Sequence, residues 1–326
     1  MSTLPSRPLK SILVPLDGSP LAEEAIPLAQ AIAERSGGKL RLVLVHDQVL
    51  MDPGPDNTRI ELAMQKADRE YLKSVTARLR ERLGRSVSSA ILKGLPVVQT
   101  LATHIRELGV DLVVMTSHGR GGLRRAWLGS VADQLIRTSE APILIVRPSE
   151  ADGTQTFISP SEIMVPLDGS PLAEAVLEPV AALARLWDAE ISLVQVVRPI
   201  ILTSDPPLPF PTGYSDEETE IRREMAQDYV RDIAERLRES GVKASGVAVI
   251  GGSVARTLLD LAHPDRVSIV AAATHGLGGL RRLVLGSVTD KLVRGADVPV
   301  LVVRPTGSRA RRKAEGTNEI RAREPA

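Results

Sequence analysis

The sequence predicts a tandem α/β protein, with two doubly wound parallel five-stranded sheets, each a three-layer Rossmann-like domain covered by helices on both faces. Three observations lead there. The chain has 326 residues, too long for one typical domain and comfortable for two. Two blocks of sequence recur in the same order. Short apolar runs without alternation, the pattern of strands buried on both faces, alternate with helix-period segments.

The repeat is direct. Residues 12–19 read Ile-Leu-Val-Pro-Leu-Asp-Gly-Ser and residues 163–170 read Ile-Met-Val-Pro-Leu-Asp-Gly-Ser. A second block, His-Gly-Arg-Gly-Gly-Leu-Arg-Arg-Ala-Trp-Leu-Gly-Ser at 118–130, returns at 275–287 as His-Gly-Leu-Gly-Gly-Leu-Arg-Arg-Leu-Val-Leu-Gly-Ser. Each copy closes on a similar strand, 141–148 and 298–305. A period near 150 residues is a whole domain and too long for a solenoid repeat. The reading is one domain over 1–148, a polar, turn-prone linker over 149–160, a second domain over 161–305, and a disordered basic tail over 306–326.

Within the first copy, 11–16 is the opening strand. Asp17-Gly18-Ser19-Pro20 turns the chain, with Ser19 as N-cap and Pro20 at the first helical position. One helix is expected to Arg35, stopped by Gly37-Gly38. Strands follow at 40–45, 87–92, 112–115 and 143–147, with helices over roughly 57–83, 96–108 and 130–139. The second copy repeats this order with a longer, proline-rich connection at 198–213. That connection and 47–57 read as ordinary variable loops or as lids.

Composition narrows the function. Aromatics are 2 %, so Val, Leu, Ile and Ala must build the cores. Net charge is +1, which argues against nucleic acid or an anionic membrane as partner. No cysteine exists, which excludes disulfides and thiolate chemistry. No apolar run reaches a membrane-spanning length and the start has no signal-peptide core, so a soluble cytoplasmic protein is expected. The five histidines show no ligand spacing, so no metal site is expected.

The glycine-rich segment after the fourth strand is the candidate for binding. Gly119 and Gly129-Ser130, repeated as Gly276 and Gly286-Ser287, lead into a helix whose first N–H groups and dipole suit a phosphate. Ser130 and Ser287 are either phosphate contacts or helix caps, since Ser130-x-x-Asp133 and Ser287-x-x-Asp290 fit a capping box. Asp17 and Asp168, at the end of the first strand, are either hydrogen-bond acceptors for a nucleoside or turn aspartates. The P-loop pattern is absent, and Gly119–Arg124 fails the dinucleotide fingerprint at its last position. His118 and His275 read as structural or ligand-orienting, and Trp127 as packing or interface. Arg124-Arg125 and Arg281-Arg282 read as phosphate-covering or partner-facing.

The Val-Pro-x-Asp-Gly-Ser start, the His-Gly-x(9)-Gly-Ser segment and the closing strand together resemble the universal stress protein family, twice over. The resemblance implies an adenine-nucleotide α-hydrolase-like fold and an ATP site, with or without Mg²⁺, at the carboxyl edge of each sheet. Pro15, Asp17 and Val45 would flank adenine and ribose, and Gly119, Gly129, Ser130 and Val131 would hold phosphates. The second set is Pro166, Asp168, Val196, Gly276, Gly286, Ser287 and Val288. One departure stands out. The family's phosphate segment opens on a glycine where this chain has Thr116 and Ala273. Added side chains there crowd phosphates or stiffen the segment, so the first site is expected to be the weaker. The implied function is a nucleotide-dependent stress-response and interaction module, not an enzyme. It would act as an internal pseudo-dimer or as a homodimer through the terminal strands, with an unnamed protein partner. The alternatives are a nucleotide-free interaction protein and a slow ATPase or phosphotransferase with Ser130 or Ser287 beside the γ-phosphate.

Overall fold

The computed structural model describes residues 8–46, 55–117, 128–147, 159–202, 213–263, 265–274 and 285–305. The chain divides into two compact units, Pro8–Ile158 and a second that begins at Ser159.

In the first unit the strands are β1 (Ser11–Leu16), β2 (Lys39–His46), β3 (Val87–Lys93), β4 (Leu112–Thr116) and β5 (Ile143–Val146). They lie in the order β3-β2-β1-β4-β5, every pair parallel. The order reverses between β1 and β4. The helices are α1 (Pro20–Glu23), α2 (Ile26–Ser36), α3 (Pro55–Leu83), α4 (Val97–Glu107) and α5 (Ser130–Thr138). The central strands are apolar apart from Ser11 and Thr116 at their ends, as double cover requires: Ile12, Leu13 and Val14 are fully buried, and every residue of β4 and β5 is buried.

The second unit repeats the plan. Its strands are β6 (Glu162–Pro166), β7 (Glu190–Val197), β10 (Ala244–Ile250), β11 (Ile269–Ala273) and β12 (Val300–Val303), in the order β10-β7-β6-β11-β12. All four pairs are again parallel. Helices α6 (Leu177–Trp187), α7 (Asp216–Glu239), α8 (Val254–Leu261) and α9 (Ser287–Gly295) cover the faces. A short antiparallel pair, β8 (Ile200–Leu202) with β9 (Gly213–Ser215), occupies the ends of the proline-rich connection, where the sequence suggests loop throughout.

The helix expected to run unbroken to Arg35 is two helices. Ser19 caps α1, accepting from the Ala22 N–H, and Pro20 sits in the first turn as expected. The chain then breaks at Glu24-Ala25 and restarts with Pro27 in the first turn of α2. Pro27 has no N–H, and its ring would meet the carbonyl four residues back, so it can open a helix but not continue one. The second unit keeps the same punctuation: a 3-10 turn over Ala173–Val176 precedes α6, which carries Pro179 in its first turn. Helix α2 ends on Gly37 in the left-handed conformation, φ 59°.

Candidate functional site

Each unit brings two segments to the carboxyl edge of its sheet at the point where strand order reverses. After β1, the Ser19 N–H donates to Asp17 Oδ1 at 2.9 Å and the Ser19 hydroxyl donates to the same oxygen at 2.6 Å. Ser19 Oγ in turn accepts from the Ala22 N–H at 3.2 Å. Gly18 bridges them at φ 84°, a conformation that favours glycine. The second unit reproduces this relay: Ser170 donates to Asp168 Oδ1 through its N–H at 3.0 Å and its hydroxyl at 2.6 Å, and accepts from Ala173 at 3.1 Å. Asp17 and Asp168 are therefore turn aspartates, and both stay half-exposed at the sheet edge beside Pro15 and Pro166.

After β4, the chain returns at Leu128. The Gly129 N–H donates to the Ser117 carbonyl at 2.8 Å, which pins the start of α5 to the end of β4. Gly286 makes the same bond to Thr274 at 2.8 Å. A Cβ on Gly286 would stand 3.0 Å from that carbonyl oxygen, tighter than side chains normally pack. The capping box is not formed. Gly129 and Gly286 are the N-caps, without a side-chain bond, and Ser130 and Ser287 are the first helical residues, exposed. Asp133 turns away to Arg137, a bidentate pair at 2.9 and 3.0 Å, and Asp290 does likewise with Arg294 at 2.9 Å. The first intrahelical bonds run from Asp133 to Gly129 and from Asp290 to Gly286. The N–H groups of Ser130, Val131 and the next residue, and of Ser287, Val288 and the next, thus point beyond the helix.

Thr116 and Ala273 end β4 and β11 as regular strand residues, paired with Val146 and Val303. Among the described residues, Asp188 is the only non-glycine at positive φ, so neither position asks for glycine's left-handed range. What remains of the departure is bulk. Val45 and Val196 lie near the ends of β2 and β7 on the same edge. Gly119, Gly276, His118, His275, Trp127 and the two arginine pairs lie outside the described residues.

Two features escaped the sequence reading. The first is a Glu-Arg pair beside a part-buried tyrosine in both units, Glu23 with Arg78 beside Tyr71 and Glu174 with Arg236 beside Tyr229. Arg78 of α3 pairs with Glu23 of α1; Tyr229 donates to Glu174 at 3.3 Å, with Arg236 at 3.8 Å. Burial raises the pKa of both Tyr71 and Tyr229, and the neighbouring carboxylates, Asp17 and Asp168 among them, raise it further.

The second is a clamp present in the first unit alone. His46, the last residue of β2, is 1 % exposed. Its Nδ1 lies 2.5 Å from Asp68 Oδ2 and its Nε2 lies 2.8 Å from Glu61 Oε1, both on α3. The bond to Asp68 raises its pKa, burial opposes this, and Glu61 adds to the rise. A carboxylate beside each ring nitrogen favours donation from both, and so favours the imidazolium form. The second unit has Val197, Thr219 and Ala226 at the matching positions, with Val197 and Ala226 packed in one apolar cluster. Glu61 and Asp68 are seven residues apart, two helical turns on one face, which was the available signal.

Fold and site together define a tandem doubly wound α/β protein with one aspartate turn and one open helix start per unit. Comparison with known proteins places it further. The model of the universal stress protein family matches residues 8–147 and again 161–304. The chain belongs to that family, whose members are stress-response proteins. It is 26 % identical over 309 residues to a universal stress protein of Mycobacterium tuberculosis, covering 92 % of this chain and 99 % of that one. It is 29 % identical over 150 residues to a Bacillus subtilis universal stress protein, covering 44 % of this chain and 99 % of the relative, as a two-copy chain should. A universal stress protein structure from Archaeoglobus fulgidus shares the fold at TM-score 0.63 and 18 % identity, covering 90 % of this chain and 97 % of that one. No helix among the described residues is long and apolar enough to cross a membrane.

Proposed function

We propose that each unit binds one adenine nucleotide at its strand-order reversal and that occupancy controls contact with a protein partner. The observation that carries this is the pairing, in both units, of a half-exposed aspartate turn with a helix start whose first N–H groups and serine hydroxyl are not used for capping. In open α/β sheets, ligands enter at this reversal. The residues fit the group. Ribose hydroxyls donate to Asp17 or Asp168, and the adenine lies along Pro15 and Val45 or Pro166 and Val196. Phosphate oxygens accept from Ser130 and Val131 or from Ser287 and Val288, in the positive field of the helix start. The bulkier Thr116 makes the first site weaker than the second, where Ala273 adds one methyl.

A binding role is favoured over catalysis. His46 is spent on its two carboxylates and is not free to act as a base. The test is the nucleotide content of purified protein, followed by titration of the stripped protein with ATP and Mg²⁺. Binding that disappears stepwise in Asp168→Ala and Asp17→Ala supports two sites. No binding at millimolar ATP overturns the reading and leaves a nucleotide-free interaction protein. Turnover that vanishes in Ser287→Ala would instead establish an ATPase.

A further inference from the structure

The two copies differ at their outer strands. In the second unit, β10 is the terminal strand and α7 closes over it. The Gln227 side chain spans its outward backbone, donating to the Gly246 carbonyl at 2.9 Å and accepting from the Ala248 N–H at 2.9 Å. The approach is close because residue 246 has no side chain: a Cβ there would stand 2.7 Å from the Val230 carbonyl oxygen on α7. A bare strand edge is a template for adding another strand, and here the edge is blunted.

The first unit lacks both devices. Strand register sets Ser89 opposite the place of Gly246 and Ile91 opposite that of Ala248, and the helix alignment sets Arg69 at the place of Gln227. Ser89 carries the Cβ that the second unit cannot hold, so α3 lies further off. A groove of about 700 Å³ remains between α3 and β3, floored by Leu72 and Thr76 and edged by Arg69, Lys73 and Arg80. An arginine cannot accept a hydrogen bond, so Arg69 cannot bridge the edge as Gln227 does. Among the described residues, β3 pairs with β2 alone.

We propose that the β3 edge and its groove are a docking site for an extended, acidic peptide segment of a partner protein, which adds as a strand beside Ser89–Ile91. The main chain supplies pairing, and alternate side chains of the added strand, the acidic ones, turn toward α3 to meet Arg69, Lys73 and Arg80, while those between them face the other side of the sheet. Charge decides against a second copy of this chain. Two β3 edges brought together would set the same three basic residues against themselves, with Glu81 as the groove's single acidic residue.

The test uses the full chain and a labelled strand-length peptide alternating glutamate with valine, with a lysine-for-glutamate version beside it. Fluorescence anisotropy is expected to show binding of the acidic peptide only, and hydrogen exchange to show protection of the Ile91 amide. Ser89→Gly with Arg69→Gln, which copies the closed edge, is expected to weaken binding by about tenfold or more. Lys73→Glu, a surface change that leaves the core alone, is expected to weaken it too. Absence of binding, equal binding of the two peptides, or Ile91 protection that grows with protein concentration without peptide would each overturn the proposal. The last outcome would assign the edge to a second copy.

Discussion

His46 is the residue whose environment most separates the two units. Its pKa is raised from the ordinary 6.5, so folding favours the protonated ring. The stability it brings is fully present below about pH 6.5 and is lost as pH rises through the folded-state value. The groups facing it are Asp68 and Glu61 on α3, with Lys93 its neighbour on β3; the bond from Gln65, then His46 and last Lys93, lowers the pKa of Glu61. The denaturation midpoint of the first unit is therefore expected to fall between about pH 6 and pH 9. That slope should disappear in His46→Val with Asp68→Ala, the apolar pair the second unit already uses. His46→Val alone is expected to cost about 2 kcal/mol, because it takes the donor from Asp68, while Glu61 keeps the Gln65 amide at 2.9 Å. A double-mutant cycle by urea denaturation measures the coupling. The clamp was not legible in a linear reading because its members lie at 46, 61 and 68, on two elements. Asp17 and Asp168 were legible because the repeat printed them twice. Their role as turn formers needed the structure, since a sequence cannot show which donors reach Oδ1.

Elements were read well where local chemistry and packing agree. The strands fall within a residue or two of their expected spans, because a run such as Leu112–Thr116, buried at every position, has no polar face to confuse with a helix. The first helix was misjudged because apolar spacing continues across Pro27 while the backbone cannot. Of the two readings left open for the serine of the glycine-rich segment, the capping box is not formed: the Ser-x-x-Asp pattern also fits one place inside a helix, and Asp133 pairs with Arg137 instead of the backbone. Two predictions belong here. Gly18→Ala is expected to destabilise the first unit by about 1 kcal/mol, since its φ of 84° is strained for any side chain. It should also weaken the proposed nucleotide binding by moving Asp17. Leu135→Ala, in a fully buried position on α5, is expected to cost about 2–5 kcal/mol, read from the chemical denaturation midpoint.

For the whole molecule, the duplication is the controlling fact. Each unit has its own five parallel strands and its own buried set, from Ile12, Leu13 and Leu144 in one to Ile163, Ile191 and Leu301 in the other. Residues 8–147 and 159–305 expressed separately are therefore each expected to melt cooperatively. A unit that shows no cooperative transition alone would refute this independence.

Helix α2 ends on Gly37 at φ 59°, and the matching end of α6 is Asp188 at φ 55°. The same bend is made cheaply in one copy and at a steric cost in the other. After a gene doubles, its two halves accumulate substitutions under separate histories, and each preserves solutions the other has lost. This chain thereby carries its own consensus: Asp188→Gly, borrowed from its twin, is expected to raise stability by about 1 kcal/mol.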